Sequence, residues 1–458
     1  MQTPNIKASP ASRREFLKKA TLVSAAAAAA PLLRPKVFGQ APSANVVGAN
    51  SRINVGYIGV GGQGLNAHVR IMKANATANN IAQVAVNDIW QKRVDKAKEV
   101  IGGDVKGFAD YREMLRDMGD KMDAVVISTH DPIHAAASIA SLEAGKHVYV
   151  EKPLTRYLDE AFAIQEAVKK SGKKLQLGSQ GCSAAGWHKA AELIKGGKIG
   201  TPIWAQGYYC RNNPKGEWNY DIDADFEKGA GVNWDAWLGP VKQRGPLSGE
   251  HYFRWRKFYP YCAGLLGDLV PHRLNPLMVA TGNPQFPKRV VCLGTKPVGT
   301  DKNKDGALMR DVPEHVEVLA EFPGGFTMVI AASTVAARSP GFVIYGHMGS
   351  LDIGNAGERL KLMPEQPFTD DIDMEDFSGL QPAEDIGAHH ANWFNAIRTG
   401  GEPSANIDLA TKVQTVVCLA EISDRLGVAC LFDETTRKIT TADGKEVPAI
   451  TYGTLEKS

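Results

Sequence analysis

In the run "HVYVEKPL", Glu151 and Lys152 stand directly before Pro153, at the end of what reads as a buried strand. Strand ends usually carry Gly, Asn or Asp, whereas an ammonium fixed by a proline can steady negative charge developing on an oxygen. A second stretch, "INVGYIGVGGQG", runs an apolar strand into Gly59-x-Gly61-x-x-Gly64, with Gly62 inside the turn. Glycine at these places permits a tight turn, close approach of the backbone to a pyrophosphate and close packing of helix on strand. The phosphates would then meet the positive end of the following helix. A third stretch, "GLLGDLVPHRLNP", sets Asp268 and His272 four residues apart, on one face if helical, with Pro271 confining that helix to a first turn or a kink. Taken alone, Asp268 and His272 fit a capping or surface pair, and Lys152 fits an ordinary strand-end lysine as well as a functional one.

The elements around these residues supply the positions. A second strand, "IAQVAVNDI", ends at Asp88, where an acidic side chain would hold both ribose hydroxyls of an adenosine, which favours NAD. Lys92 and Arg93 follow closely enough to soften the repulsion of a 2′-phosphate, so NADP stays compatible, and Asp88 also suits a helix N-cap. Next come a helix, a strand over Ala124–Ser128, a helix from about Ile133 and a strand over Val148–Val150. Alternating strands and helices predict a parallel sheet with right-handed crossovers. Ligands bind such sheets beyond the carboxyl ends of the strands. Ser128, Thr129, Glu151 and Lys152 occupy those ends, which directs Lys152 into the cofactor cleft.

The second half lacks this rhythm. Its strands are "PIWAQGYYC", "RVVCLGT", "HVEVLAEF", "FTMVIAAST" and "FVIYGHMGSLDIG", two of them joined by a hairpin at Pro323-Gly324-Gly325. These predict a large open antiparallel or mixed sheet with helices on one face. Two late amphipathic helices, closed by Gly400 and Gly427, are expected only to pack.

Composition narrows the partners. The chain has 458 residues, 43% hydrophobic and 22% charged, with a net charge of +3 and no blocks of Lys or Arg, so nucleic acid is not expected. A small molecule is. Residues 1–44 read as an export leader: Ser12-Arg13-Arg14-Glu15-Phe16-Leu17-Lys18 resembles the twin-arginine signal and precedes an apolar stretch, Thr21 to Leu33, too short and alanine-rich for a membrane span. That predicts export in the folded state to the periplasm by the twin-arginine machinery, with cleavage between Gly39 and Ala44. Cys182, Cys210, Cys262, Cys292, Cys418 and Cys430 lie far apart with no zinc-ligand spacing, so no metal is expected and free, buried thiols are.

The glycine turn, "DAVVIST…HAAASIASLEAGKHVYVEKPL", "GTPIWAQGYY", "NWDAWLGP" and "GDLVPHRLNP" together resemble the Gfo/Idh/MocA family of glucose–fructose oxidoreductase and inositol dehydrogenase. The resemblance implies a Rossmann dinucleotide-binding domain at 51–176, then an α+β domain with a large open, mostly antiparallel sheet at 177–448 for substrate and oligomerisation, the open sheet face implying a dimer or tetramer. It makes Lys152 of the "EKP" triplet the contact to both nicotinamide and substrate, with Pro153 often in a cis peptide. It places Asp268 and His272 beside the carbon that exchanges hydride. The cofactor set becomes Gly59, Gly61, Gly62, Gly64, Asp88, Ser128, Thr129, His134, Glu151 and Lys152. Two departures stand out: Asn275 replaces an aspartate common three residues after the histidine, and His130-Asp131 follow Thr129 where a proline is common.

The expected function is an NAD(P)-dependent oxidoreductase acting on a secondary hydroxyl of a sugar, glycoside or cyclitol. His272 would serve as general base, Lys152 as the cation on the reacting oxygen and Asp268 as an acceptor for a neighbouring hydroxyl, with Lys152 and His272 able to exchange roles. The alternatives are a redox-assisted glycosidase, against which the intact lysine argues, and a silent sugar-binding relative. Trp187, His188, Tyr209, Arg211, Tyr220, Arg254 and Trp255 are further candidates for substrate contact, each also compatible with core or surface duty.

Overall fold

A computed structural model describes residues 51–339 and 341–455, so the twin-arginine segment lies outside the described residues. The glycine turn belongs to a six-stranded parallel sheet. Its strands are β1 (Ile53–Ile58), β2 (Ile81–Asn87), β3 (Lys106–Phe108), β4 (Ala124–Ile127), β5 (His147–Glu151) and β6 (Leu175–Gly178), in the order β3-β2-β1-β4-β5-β6. Central strands β4 and β5 are almost wholly buried because helices cover both faces, which is why they read as unbroken apolar runs. Strand order reverses between β1 and β4, and the crevice that opens there is where ligands bind in such sheets.

The second half forms a ten-stranded sheet: β7 (Pro202–Cys210), β8 (Arg289–Thr295), β9 (His315–Glu321), β10 (Thr327–Ser333), β11 (Phe342–Gly346), β12 (Gly349–Ile353), β13 (Arg359–Pro364), β14 (Glu375–Ser378), β15 (Cys430–Asp433) and β16 (Lys438–Thr440). The order is β14-β13-β12-β11-β7-β10-β9-β8-β15-β16, and only the β7–β10 pair is parallel. The expected hairpin at Pro323-Gly324-Gly325 joins β9 to β10, with both glycines at positive φ. The stretch "FVIYGHMGSLDIG" is two strands rather than one, since it turns back at Gly346–Gly349 to pair β11 with β12.

Helices Val270–Ala280 and Ile407–Leu426 pack on one face of this sheet. The other face keeps apolar side chains in the open: Leu293 is 67% exposed and Leu319 48%. All six cysteines are free, five of them buried. No helix among the described residues is long and apolar enough to cross a membrane.

A buried ion pair locks the loop after β5 to the second half. Arg156 donates to both carboxylate oxygens of Glu421, at 2.6 and 2.8 Å, and to the Tyr259 carbonyl, while Arg425 donates to Glu421 from the next helical turn. Removing one charge of a buried pair leaves the other without compensation. Glu421→Gln should therefore lower unfolding free energy by about 3 kcal/mol or more, read from the urea midpoint at constant m-value.

Candidate active site

The glycine turn is built as its spacing predicted. Gly59 follows β1 with φ +83°, a conformation that L side chains rarely adopt, and a Cβ there would lie 2.9 Å from the Ser128 backbone. Gly62 has open space around its missing Cβ, while at Gly64 the same atom would come within 2.2 Å of the Gly59 carbonyl oxygen and 2.6 Å of Ser128 Oγ. Ser128 donates to that carbonyl at 2.8 Å and so ties the end of β4 to the turn. Asp88 closes the far side. Its Oδ2 accepts from the Val60 N–H at 2.9 Å and its Oδ1 from the Trp90 N–H at 3.1 Å, leaving each oxygen acceptor capacity for a ribose hydroxyl. Burial pushes the Asp88 carboxyl up, and nearby Arg93 opposes this.

Lys152 and His272 line the same cavity as Gly59, Gly61, Gly62, Asp88, Ser128, Thr129 and Glu151, with a volume of about 1130 Å³. That exceeds the roughly 300–1,000 Å³ of ordinary small-molecule sites. Lys152, joined to Pro153 by a cis peptide, donates from Nζ to Asp268 Oδ1 at 2.6 Å and to the Asp268 carbonyl at 2.8 Å. An ammonium has three N–H bonds, so one remains for a ligand oxygen. Asp268 ends the short helix Leu265–Asp268, and His272 sits in the first turn of the helix Val270–Ala280, where Pro271 costs no hydrogen bond. The break at Leu269 between these helices lets Asp268 turn its carboxylate to Lys152.

The Asp268 carboxylate is crowded with donors. Besides Lys152, Oδ1 accepts from Arg256 Nε at 2.9 Å, and Oδ2 accepts from Trp218 Nε1 at 3.0 Å. Burial opposes its ionisation, but Arg256 and Lys152 outweigh burial and hold it well below the usual carboxylate range. Three of about four acceptor positions are taken, which suits Asp268 to aiming Lys152 better than to receiving a substrate hydroxyl. His272 stacks on Tyr209 at 5.5 Å. Burial and then the Lys152 charge lower its pKa to about 3, leaving the imidazole neutral at neutral pH with a lone pair to accept a hydrogen bond from a hydroxyl. Asn275 does not orient it, because its Nδ2 donates to the Pro271 carbonyl. Glu384, far along the chain, stands 3.8 Å from His272 Nδ1 instead.

Several sequence candidates stand behind the cavity wall. Gly64 serves packing, and His134 is buried between the carbonyls of Pro153, at 2.8 Å, and Thr129, at 3.2 Å, where it braces both loops. Trp187 is core, His188 contacts the Cys182 carbonyl and Arg254 pairs with Glu250. Arg211, Tyr220 and Trp255 do line the cavity, as does His130, which stacks flat on Trp237 at 4.3 Å.

Glu151 faces inward. Its Oε1 lies 2.9 Å from His68 Nε2 and accepts from Gln63, and His68 Nδ1 lies 2.9 Å from His390 Nε2. Burial raises the Glu151 pKa, but His68 and Lys152 overcome it and bring it to about 2. The helix Ile386–Thr399, expected only to pack, thus reaches the glycine turn through His390. Sequence reading missed Gln63, His68, Arg256, Glu384 and His390, because nothing in their spacing connects them to Lys152.

The segment from Arg211 to Cys262 completes the wall opposite the glycine turn. Its aromatic side chains, Phe226, Trp237 and Tyr252 among them, form a core with Trp90 of the first half, to which the segment is also stitched by a Trp90–Val232 bridge, hydrogen bonds from Asn233 N to Ile89 O and from Gln91 N to Gly231 O, and Lys92 paired with Asp223 and Asp225.

Residues 53–179 match the Gfo/Idh/MocA oxidoreductase family's NAD-binding Rossmann fold, and residues 241–352 match the C-terminal domain of the same family. The chain belongs to the Gfo/Idh/MocA family. Inositol 2-dehydrogenase 3 of Saccharopolyspora erythraea is 36% identical over 164 residues, covering 33% of this chain and 44% of that protein. The scyllo-inositol 2-dehydrogenase (NAD(+)) of Bacillus subtilis is 35% identical over 125 residues, covering 27% and 36%. The chain therefore matches less than half the length of these relatives. Among solved structures, levoglucosan dehydrogenase in complex with NADH and levoglucosan superposes with TM-score 0.61 at 21% identity, over 81% of this chain and 95% of that one. Aldose-aldose oxidoreductase from Caulobacter crescentus gives 0.61 at 17% identity, over 83% and 100%. At these identities the likeness speaks for the fold.

The glycine geometry sets a graded expectation. Gly64→Ala forces a Cβ against backbone and should cost about 1–3 kcal/mol together with most NADH binding, whereas Gly62→Ala meets open space and should leave stability unchanged. Denaturant unfolding and NADH fluorescence titration of both variants check this.

Proposed function

We propose that the protein is an NAD-dependent oxidoreductase that transfers hydride between the nicotinamide and a secondary hydroxyl of a sugar, glycoside or cyclitol. One observation carries this reading: Lys152 and His272, 120 positions apart in the numbering, line one cavity with the glycine turn and Asp88. NAD fits the residues present, since Gly62 opens onto free space for a pyrophosphate, Gly61 lies against the Arg93 guanidinium where a Cβ would come within 2.7 Å, and Asp88 keeps capacity for ribose hydroxyls. When bound, NAD supplies the hydride acceptor.

The chain's own groups handle the proton. The free N–H of Lys152 donates to the substrate hydroxyl oxygen and stabilises its negative charge as the C–H electron pair departs as hydride. Neutral His272 takes the hydroxyl proton, so carbinol becomes ketone plus imidazolium and the charges balance. Asp268 is a positioning residue that aims Lys152, and the wall from Arg211 to Cys262 excludes water.

The nucleotide is proposed to stay bound between turnovers, with one sugar oxidised and another reduced. The stitched wall supports retention. So does the proposed route, periplasmic export in the folded state by the twin-arginine machinery, because free NAD is scarce outside the cytoplasm. A dimer or tetramer is proposed to cover the exposed Val291, Leu293 and Leu319 of the outer sheet face.

His272→Ala and Lys152→Met should each lower kcat by about 10²–10⁴-fold while NADH binding persists, measured at 340 nm in single turnovers with candidate sugars. Sugar release from a glycoside without net NADH would instead mark transient-redox glycoside cleavage. Because His272 is unprotonated above about pH 3, kcat/KM should not fall through the ordinary histidine range.

A further inference from the structure

We propose that the substrate carries a carboxylate, which the open face of the Arg256 guanidinium binds, so that the protein acts on sugar acids in preference to neutral sugars. This rests on the dehydrogenase reading above and names the substrate class of that site.

Arg256 is held by one edge only. Its Nε donates to Asp268 Oδ1 at 2.9 Å, and its side chain lies over the Trp255 ring at 4.2 Å. Among the described residues neither terminal Nη finds an acceptor, yet neither is sealed in the protein, since the side chain is 25% exposed and lines the cavity. A guanidinium so placed has lost most of its water and offers two parallel N–H vectors. Those vectors match the two oxygens of a carboxylate.

The location is the substrate end. Asp268 Oδ1 receives Arg256 and Lys152 together, so the unfilled fork stands one carboxylate away from the ammonium assigned to the reacting oxygen. The other cavity arginine at this end, Arg211, is already engaged by Glu217 at 2.7 Å and by the Tyr209 hydroxyl at 3.0 Å. Exposed Tyr220 also lines the cavity and adds a hydroxyl able to donate. A phosphate would bring roughly twice the charge of a carboxylate against Asp268 and the buried, unpartnered Asp131 Oδ2, and fits less well.

Matched ligands test this on the full chain loaded with NADH for binding and with NAD for turnover. Glucuronate is compared with glucose, galacturonate with galactose, and glucose 6-phosphate serves as a third arm. Calorimetry reads binding and 340 nm absorbance reads turnover, so the comparison stands even for a ligand that is not turned over. The acids should lead their neutral partners by about 10- to 100-fold in Kd or kcat/KM. In Arg256→Gln that ratio should collapse toward one, and Arg256→Lys should restore part of it. Loss of kcat common to both ligands reflects only the hold on Asp268, which the ratio cancels. Neutral sugars favoured, the phosphate favoured, binding by neither set, or a ratio unmoved in Arg256→Gln overturns the proposal while NADH binding persists. Failure to bind NADH at all overturns the dehydrogenase reading itself.

Discussion

Lys152 Nζ lies 2.6 Å from the Asp268 carboxylate and 2.8 Å from the Asp268 carbonyl, so an ammonium at the end of the parallel sheet is fixed by a helix end belonging to the other half. The pair is largely buried, with side-chain exposures of 8% and 12%. Charges so far from water are costly unless paired and fully hydrogen-bonded. Asp268 meets that condition by collecting Arg256 and Trp218 as further donors. The Arg156–Glu421 pair and the Trp90–Val232 bridge hold the two halves in register at either side of this contact. Without that register Lys152 would lose its partner and the cleft its far wall.

A second buried network runs behind the first. Glu151, His68 and His390 form a chain of hydrogen bonds from the strand end through the glycine-turn helix to the helix Ile386–Thr399. Gly178 packs beside it, where a Cβ would lie 2.9 Å from the Glu151 carboxyl carbon and push the carboxylate aside. Neighbouring residues Glu151 and Lys152 therefore divide their duties: one carboxylate braces the turn, and one ammonium faces the ligand. Such division follows from the alternation of side chains along an extended backbone.

Much of the fold was legible because its signals are local. Richness in β-branched and aromatic residues located β7 and β8 to the residue, and unbroken apolar runs placed β4 and β5 within one position, since strand-forming residues and burial both show in a strand's own sequence. The glycine turn was legible for the same reason: positive φ at Gly59 and backbone contact at Gly64 admit no side chain. The site was half legible. Asp268 and His272 stood out only through a resemblance, and their helical spacing suggested one continuous face where the structure has two short helices meeting at Leu269.

The order of residues along the chain was enough to specify the two sheets, the dinucleotide-type turn and the lysine at a strand end, because each depends on hydrogen bonding and burial within a few residues. Tertiary structure alone decided that Arg256 and Trp218 would share the carboxylate of Asp268, that Glu384 would approach His272, and that His68 would link His390 to Glu151. These contacts join residues from 12 to 322 positions apart, and no periodicity encodes them. They exist because burying Lys152, Glu151 and Asp268 demands partners, and only the folded chain determines which groups are near enough to answer.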